Sequence, residues 1–123
     1  MNTDETLTNL RAAVAAAAAP AERAGALNQL AEALDRHGEY AESLAAAKEA
    51  EAIAQQSGNV LAETGALRLQ GVVHYRRSDY SGALPLFEQS LQLYEELGER
   101  SGAARVTGNI GLVYANLSEY SKA

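Results

Sequence analysis

The side chains of this chain best suited to acid–base or metal chemistry are its two histidines, His37 and His74. Neither has a second histidine or a paired carboxylate at the spacing of a metal site, and the chain has no cysteine. His74 could serve as a metal ligand or an acid–base group, but a hydrogen-bonded histidine packed between helices is the favoured interpretation. The pattern therefore predicts no metal site and no cofactor.

Two further stretches have residue types that occur in catalytic motifs. The glycines of residues 108–111 fall inside a predicted helix, whereas a phosphate-binding loop must precede one. Residues 118–122 contain serine and lysine, but not at the spacing of a serine nucleophile with a lysine base. The sequence therefore predicts no catalytic residues and a protein that is not an enzyme.

Composition excludes other classes of protein. The net charge of −6 argues against nucleic-acid binding, which normally requires a basic face. The apolar run at residues 12–19 is too short to cross a membrane, and residues 2–5 before it are acidic where a signal peptide is basic. We therefore expect a cytoplasmic protein, with no membrane partner, whose 123 residues form one domain or part of one.

A turn-like tripeptide recurs at intervals of forty residues. Residues 38–40, 78–80 and 118–120 each place a small residue before an acid and a tyrosine. Ala31, Gly71 and Gly111 have the same spacing. An internal period of this length is typical of stacked helical repeats.

Helix signals between these turns predict six helices in antiparallel hairpins, with no strand. The leading helix lies within residues 1–19, and Pro85 is expected to bend the fifth helix. The chain then divides into repeat 1 at 20–58, repeat 2 at 59–98 and an incomplete repeat 3 at 99–123, so we expect a piece of a longer protein. The remaining helices are predicted at 21–37, 40–56, 60–77, 80–97 and 101–117, with turns at 38–39 and 78–79.

Gly71 and Gly111 fall in the middle of predicted helices. Glycine there costs about 0.5–1 kcal/mol relative to alanine, so some packing advantage must offset it. We therefore expect the paired helix to approach closely at both glycines.

These features resemble the tetratricopeptide repeat family. Its pattern places Leu-Gly-x-x-Tyr before a turn of the Gly-Asp-Tyr type, then alanine three residues and an aromatic residue seven residues after that tyrosine. Ile110-Gly111 with Tyr114 fits the first part, and Ala83 with Phe87 fits the second. The period departs from the family's usual value of about thirty-four residues. The resemblance implies an all-α, right-handed solenoid of the forty-residue variety, which acts as a protein-interaction scaffold.

The resemblance also implies a binding groove, because the first helix of each hairpin lines the concave surface of such arrays. Outward positions on those helices mix arginines, carboxylates and apolar side chains, which suits an extended peptide or a partner helix. A merely solvated face is the alternative. The predicted groove residues are Asn28, Glu32, Asp35, Arg68, Val72, Tyr75, Arg76, Arg105, Leu112 and Asn116.

Three further interpretations concern the function. Asn28 with Glu32, and Arg68 with Val72, do not reproduce the lysines and asparagines with which chaperone-binding relatives hold a terminal carboxylate. The alternative to a scaffold is a regulatory or sensor segment of a larger bacterial signalling enzyme or transcription regulator. Small-ligand binding inside the superhelix would need more repeats than this sequence has.

The last predicted helix lacks a polar capping helix after it. An uncovered apolar face favours association, so the sequence predicts a possible homodimer through this end. The residues expected to form this end face, besides Tyr114, are Val106, Ile110, Val113 and Leu117.

Overall fold

The computed structural model describes residues 3–122, with the side chains described for residues 5–119. All regular structure in that range is α-helical, which confirms the predicted fold class. Five of the helices begin and end within about three residues of their predicted bounds. The six helices are α1 (Thr3–Ala16), α2 (Pro20–Arg36), α3 (Tyr40–Ser57), α4 (Val60–Arg76), α5 (Tyr80–Leu97) and α6 (Arg100–Lys122).

Each helix packs against the next helix along the chain. Contacts between α2 and α4, and between α4 and α6, also join the first helices of successive hairpins into one row. Pro85 lies inside α5, and the helix continues on both sides of it. This arrangement is the packing of an all-α repeat solenoid.

The predicted turns at residues 38–39 and 78–79 are confirmed and share one backbone design. Gly38 and Ser78 both have positive φ, 80° and 62°. The next N–H group donates back to a carbonyl near the end of the preceding helix, at 2.9 Å in the first turn and 2.8 Å in the second. Tyr40 and Tyr80 then begin α3 and α5, as the repeat predicts. The side chain of Tyr120 lies outside the described side chains.

The expected turn at residues 118–120 is wrong, because α6 continues through these residues to Lys122. In the two earlier units, the following helix packs back onto the helix before the turn. Among the described residues, α6 packs only on α4 and α5, so no helix packs back there to compete with continued helical hydrogen bonding.

The expected close approach at mid-helix glycines is confirmed at Gly71 and wrong at Gly111. A Cβ atom on Gly71 would lie 2.7 Å from the ring of Phe87, which α5 presses against α4. A Cβ on Gly111 would meet nothing within 4 Å, because no helix of the described residues packs on that side of α6. Gly111 therefore has the position of Gly71 in the repeat without its partner.

Apolar stripes on the helices form the core. Leu27, Leu30 and Leu34 are buried, and Leu7 of α1 packs with the last two. Leu61 lies in the first turn of α4 and is 53% exposed.

Candidate partner-binding groove

Helices α2, α4 and α6, each the first helix of its repeat unit, together line a depression of about 210 Å³. Six of the ten predicted groove residues lie in it: Glu32, Asp35, Arg68, Val72, Arg76 and Arg105. The period explains this convergence, since residues forty apart take the same direction on successive helices. Glu32 and Val72 have this relation, and Leu112, which is 51% exposed, continues the row on α6.

Sequence reasoning missed three residues of the depression: Arg36, Leu69 and Asn109. For one of these residues, the forty-residue period was a signal in the sequence. Arg36 is forty residues before the predicted Arg76, and Leu69 is forty before Asn109. Applying the spacing to the predicted groove positions would have added Arg36, whereas neither Leu69 nor Asn109 lies forty residues from a predicted one.

Arg76 and Asp35 form an ion pair that joins α4 to α2. The two nitrogens of Arg76 donate to the two carboxylate oxygens at 3.2 and 3.3 Å. Asp35 is only 7% exposed, so it depends on this partner. The hydrogen bonds with Asp35 also hold the pKa of Arg76 above its ordinary value. Arg76 therefore has a structural role in addition to its place in the groove.

The junction between α4 and α6 has the same geometry with neutral groups. Asn116, forty residues after Arg76, donates from Nδ2 to the Tyr75 hydroxyl at 2.9 Å. Tyr75 is itself forty residues after Asp35, and its ring centroid lies 5.8 Å from that of Tyr80. Two predicted groove residues, Tyr75 and Asn116, are therefore partly committed to holding the repeats together.

Asn28 also serves packing. It lies on α2 outside the depression, and its Nδ2 donates to the carbonyl of Ala62 on α4 at 3.0 Å. The predicted groove set thus includes residues that line the depression, residues that join adjacent helices, and residues such as Arg76 that do both.

Arg68 differs from Arg76 because it lacks a close carboxylate. Its side chain is 9% exposed, and Glu32 is 3.8 Å away. Burial, followed by the like charge of Arg105, lowers the pKa of Arg68. The groove therefore contains a buried guanidinium whose partners are the hydroxyl of Tyr94, which brings no full charge, and the Glu32 carboxylate at 3.8 Å.

The hydrogen bond predicted for His74 is confirmed, and its partner is Asp79 in the turn after α4. His74 is partly buried, and its Nδ1 lies 2.8 Å from Asp79 Oδ2. Asp79 also caps α5 by accepting from the Gly82 N–H at 3.0 Å. His74 thus supports the turn after α4.

The predicted end face of α6 needs correction. Val106 and Val113 are fully buried, and Ile110 and Leu117 pack against the same core cluster, because all four point toward α4 and α5. The open surface of α6 instead contains Tyr114, which is 56% exposed, and Gly111.

The described part of the chain has neither a membrane-spanning helix nor a cluster of metal-binding side chains. Within residues 3–122, no helix has both the length and the apolar character of a membrane span. Among the described side chains, no group of three or more histidine and acidic residues is placed to hold a metal ion.

Comparison with known proteins gives one result for the repeat itself. Residues 71–97, which cover the end of α4, the turn and all of α5, match the family model of the tetratricopeptide repeat. No curated protein matches the chain.

Proposed function

We propose that this chain, a member of the tetratricopeptide repeat family, is a cytoplasmic scaffold that binds an extended peptide or a partner helix along the groove of α2, α4 and α6. The observation that carries the proposal is the convergence of the predicted groove residues. Six of them line one depression, with charged groups beside the apolar side chains of Leu69 and Val72. Partner surfaces of this mixed character provide both burial and orientation.

The family match supports binding rather than catalysis, because tetratricopeptide repeats are generally non-catalytic scaffolds. The groove has no histidine, and its acids are occupied by arginines at 3.2–3.8 Å. Recognition of a protein segment uses these groups without further chemistry.

The burial and contacts of the groove residues determine which substitutions can test the groove. Alanine at Arg68, Tyr75 or Arg76 would change stability as well as binding, because Arg68 is buried, Tyr75 packs on Tyr80, and Arg76 pairs with buried Asp35. Arg105 and Leu112 are exposed groove positions and are the better probes.

The test is to select binders from a random dodecapeptide library on the chain and to measure affinity by fluorescence polarisation. We expect Arg105→Ala and Leu112→Ser each to weaken the selected peptides about tenfold or more, as hot-spot truncations do. Arg77→Ala at the end of α4 is the control and should bind as the wild type does. Selected peptides that bind both groove variants with wild-type affinity would show that the groove is not the binding surface.

A second surface favours pairing of the chain with another copy of itself. We propose that the open side of α6 forms a homodimer contact, since Tyr114 is 56% exposed and the neighbouring Gly108 and Gly111 allow close approach of a helix. Sedimentation equilibrium over a range of concentrations tests this. Ile110→Glu is unsuitable because Ile110 packs in the core, so Tyr114→Glu is the variant and Ala12→Glu on α1 the charge control.

We expect the wild type and Ala12→Glu to dimerise and Tyr114→Glu to remain monomeric. A wild type that stays monomeric at about 100 µM, where a micromolar contact would be largely occupied, would refute the dimer.

A further inference from the structure

We propose that the groove anchors an anionic side chain of the bound segment, in the first instance a carboxylate, between Arg68 and Arg105. The inference rests on the groove binding proposed above and adds the chemistry of the residue that is recognised.

The first argument is the charge of the depression. It is lined by four arginines and two acids, in a chain whose net charge is −6. Asp35 forms an ion pair with Arg76, and Glu32 forms ion pairs with Arg36 at 3.2 Å and with Arg68 at 3.8 Å. The positive charge that remains belongs to Arg68 and Arg105. An acidic protein therefore has a local positive site in its groove, which attracts anionic groups.

The second argument is the burial of Arg68. A charged group taken out of water costs free energy unless a close partner repays it. The Glu32 carboxylate stands at the outer limit of an ion pair and its side chain is 44% exposed, so its contribution is small. Arg105 adds repulsion, which is one cause of the lowered pKa of Arg68. A carboxylate between the two guanidinium groups would offset both costs.

The third argument identifies the anion as part of a peptide. Asn109 lines the same depression, and its Oδ1 is buried with no hydrogen-bond partner in the described structure. This oxygen accepts hydrogen bonds, and a carboxylate bound at the arginines has no donor to offer it. A peptide supplies both groups, since an acidic side chain reaches the arginines while a backbone N–H reaches Asn109.

The size of the depression limits what enters it. At about 210 Å³ it holds one side chain with adjacent backbone, and it is smaller than the pockets that enclose drug-sized ligands. The inference therefore concerns one acidic residue within a longer segment that lies along the helices.

The experiment uses amidated dodecapeptide pools that are random except at one central position, which is glutamate, glutamine or phosphoserine. A fourth pool has central glutamine and a free terminal carboxylate. Retention of each pool is measured on the wild type, Arg105→Gln, Arg105→Lys and the control Arg77→Gln. A charge-assisted contact predicts at least about tenfold greater retention of the glutamate pool than of the glutamine pool on the wild type.

The variants separate the site from general charge effects. We expect the glutamate preference to disappear in Arg105→Gln, to persist in part in Arg105→Lys, and to be unchanged in Arg77→Gln. Glu32→Gln should increase the preference, because it removes the carboxylate that competes for Arg68. Arg68→Gln is informative only if its circular dichroism matches the wild type, so the result depends on Arg105 and Glu32.

Each outcome has one meaning. Greater retention of the phosphoserine pool than of the glutamate pool would support the anion site and assign phosphate as its anion. Equal retention of the glutamate and glutamine pools, with binding still lost in Leu112→Ser, would overturn this inference and leave the groove function intact. Preference for the free-carboxylate pool alone would overturn it in favour of a chain terminus. Retention of no pool would overturn both proposals.

Discussion

Gly71 and Gly111 occupy the same repeat position but differ in what lies opposite. An added Cβ at Gly71 would lie 2.7 Å from the ring of Phe87, which is 1% exposed and has no room to withdraw. We expect Gly71→Ala to lower the free energy of unfolding by about 1–3 kcal/mol, as overpacking does. Urea denaturation followed by circular dichroism measures the change.

Gly111→Ala is the matched control for this prediction. With nothing within 4 Å of its Cβ, alanine should raise the free energy of unfolding by about 0.5–1 kcal/mol through helix propensity alone. Equal effects of the two substitutions would contradict the close approach of Phe87 to α4.

Asp79 is the residue at which pH should act on the turn. The hydrogen bond with His74, followed by that from the Gly82 N–H, lowers the pKa of Asp79 below its usual value of 3.8. A group with a depressed folded-state pKa contributes stability above its unfolded pKa, and this is lost as the pH falls through the folded value. NMR titration should place the Asp79 midpoint below 3.8 and show that His74→Ala raises it. An unchanged midpoint in that variant would exclude His74 as the main cause.

At the scale of elements, the Asp35–Arg76 pair joins α2 to α4 through a buried carboxylate. A double-mutant cycle with Asp35→Asn and Arg76→Gln should give a coupling free energy of about 1–2 kcal/mol, less than for a fully buried pair because Arg76 is 45% exposed. Chemical denaturation of the four proteins supplies the values.

The control cycle uses Arg11 and Glu42, which link α1 to α3 at 2.8 Å with both side chains about half exposed. Exposed pairs couple by about 1 kcal/mol or less, so this cycle should give the smaller value. A coupling free energy at Asp35–Arg76 no larger than this would mean that burial of Asp35 adds nothing to the junction.

The helices and the first two turns could be predicted from the sequence because each depends on local signals repeated every forty residues. The groove positions were inferred from the resemblance to tetratricopeptide repeats, and their role in binding stays a prediction. The course of α6 could not be predicted in this way, because the turn at residues 118–120 depends on a helix packing back, and the local sequence does not reveal whether one is present. For the same reason, the sequence did not distinguish Tyr114, which is exposed, from Val113, which is buried one residue before it.

Across the whole molecule, stability should be greatest at α4. This helix contacts α2, α3, α5 and α6, and most of its residues from Thr64 to Val73 are buried. Amides buried in such contacts exchange only through global unfolding, whereas helix ends exchange through local fraying. We expect hydrogen exchange, followed by mass spectrometry, to be slowest in α4 and fastest in α1 and the last turns of α6. Equal protection of α4 and the end of α6 would contradict this gradient.

The two junctions between successive first helices have a common geometry and different chemistry. Arg76 reaches back to Asp35 with an ionic contact, whereas Asn116 reaches back to Tyr75 with a neutral one. Dissolved salt weakens the first kind of contact and has little effect on the second. Raising the ionic strength should therefore weaken the α2–α4 junction more than the α4–α6 junction, while the neutral hydrogen bond from Asn28 to the carbonyl of Ala62 remains. For a partner that lies along all three helices, the ionic strength of the solution would then affect binding mainly at the α2 end of the surface.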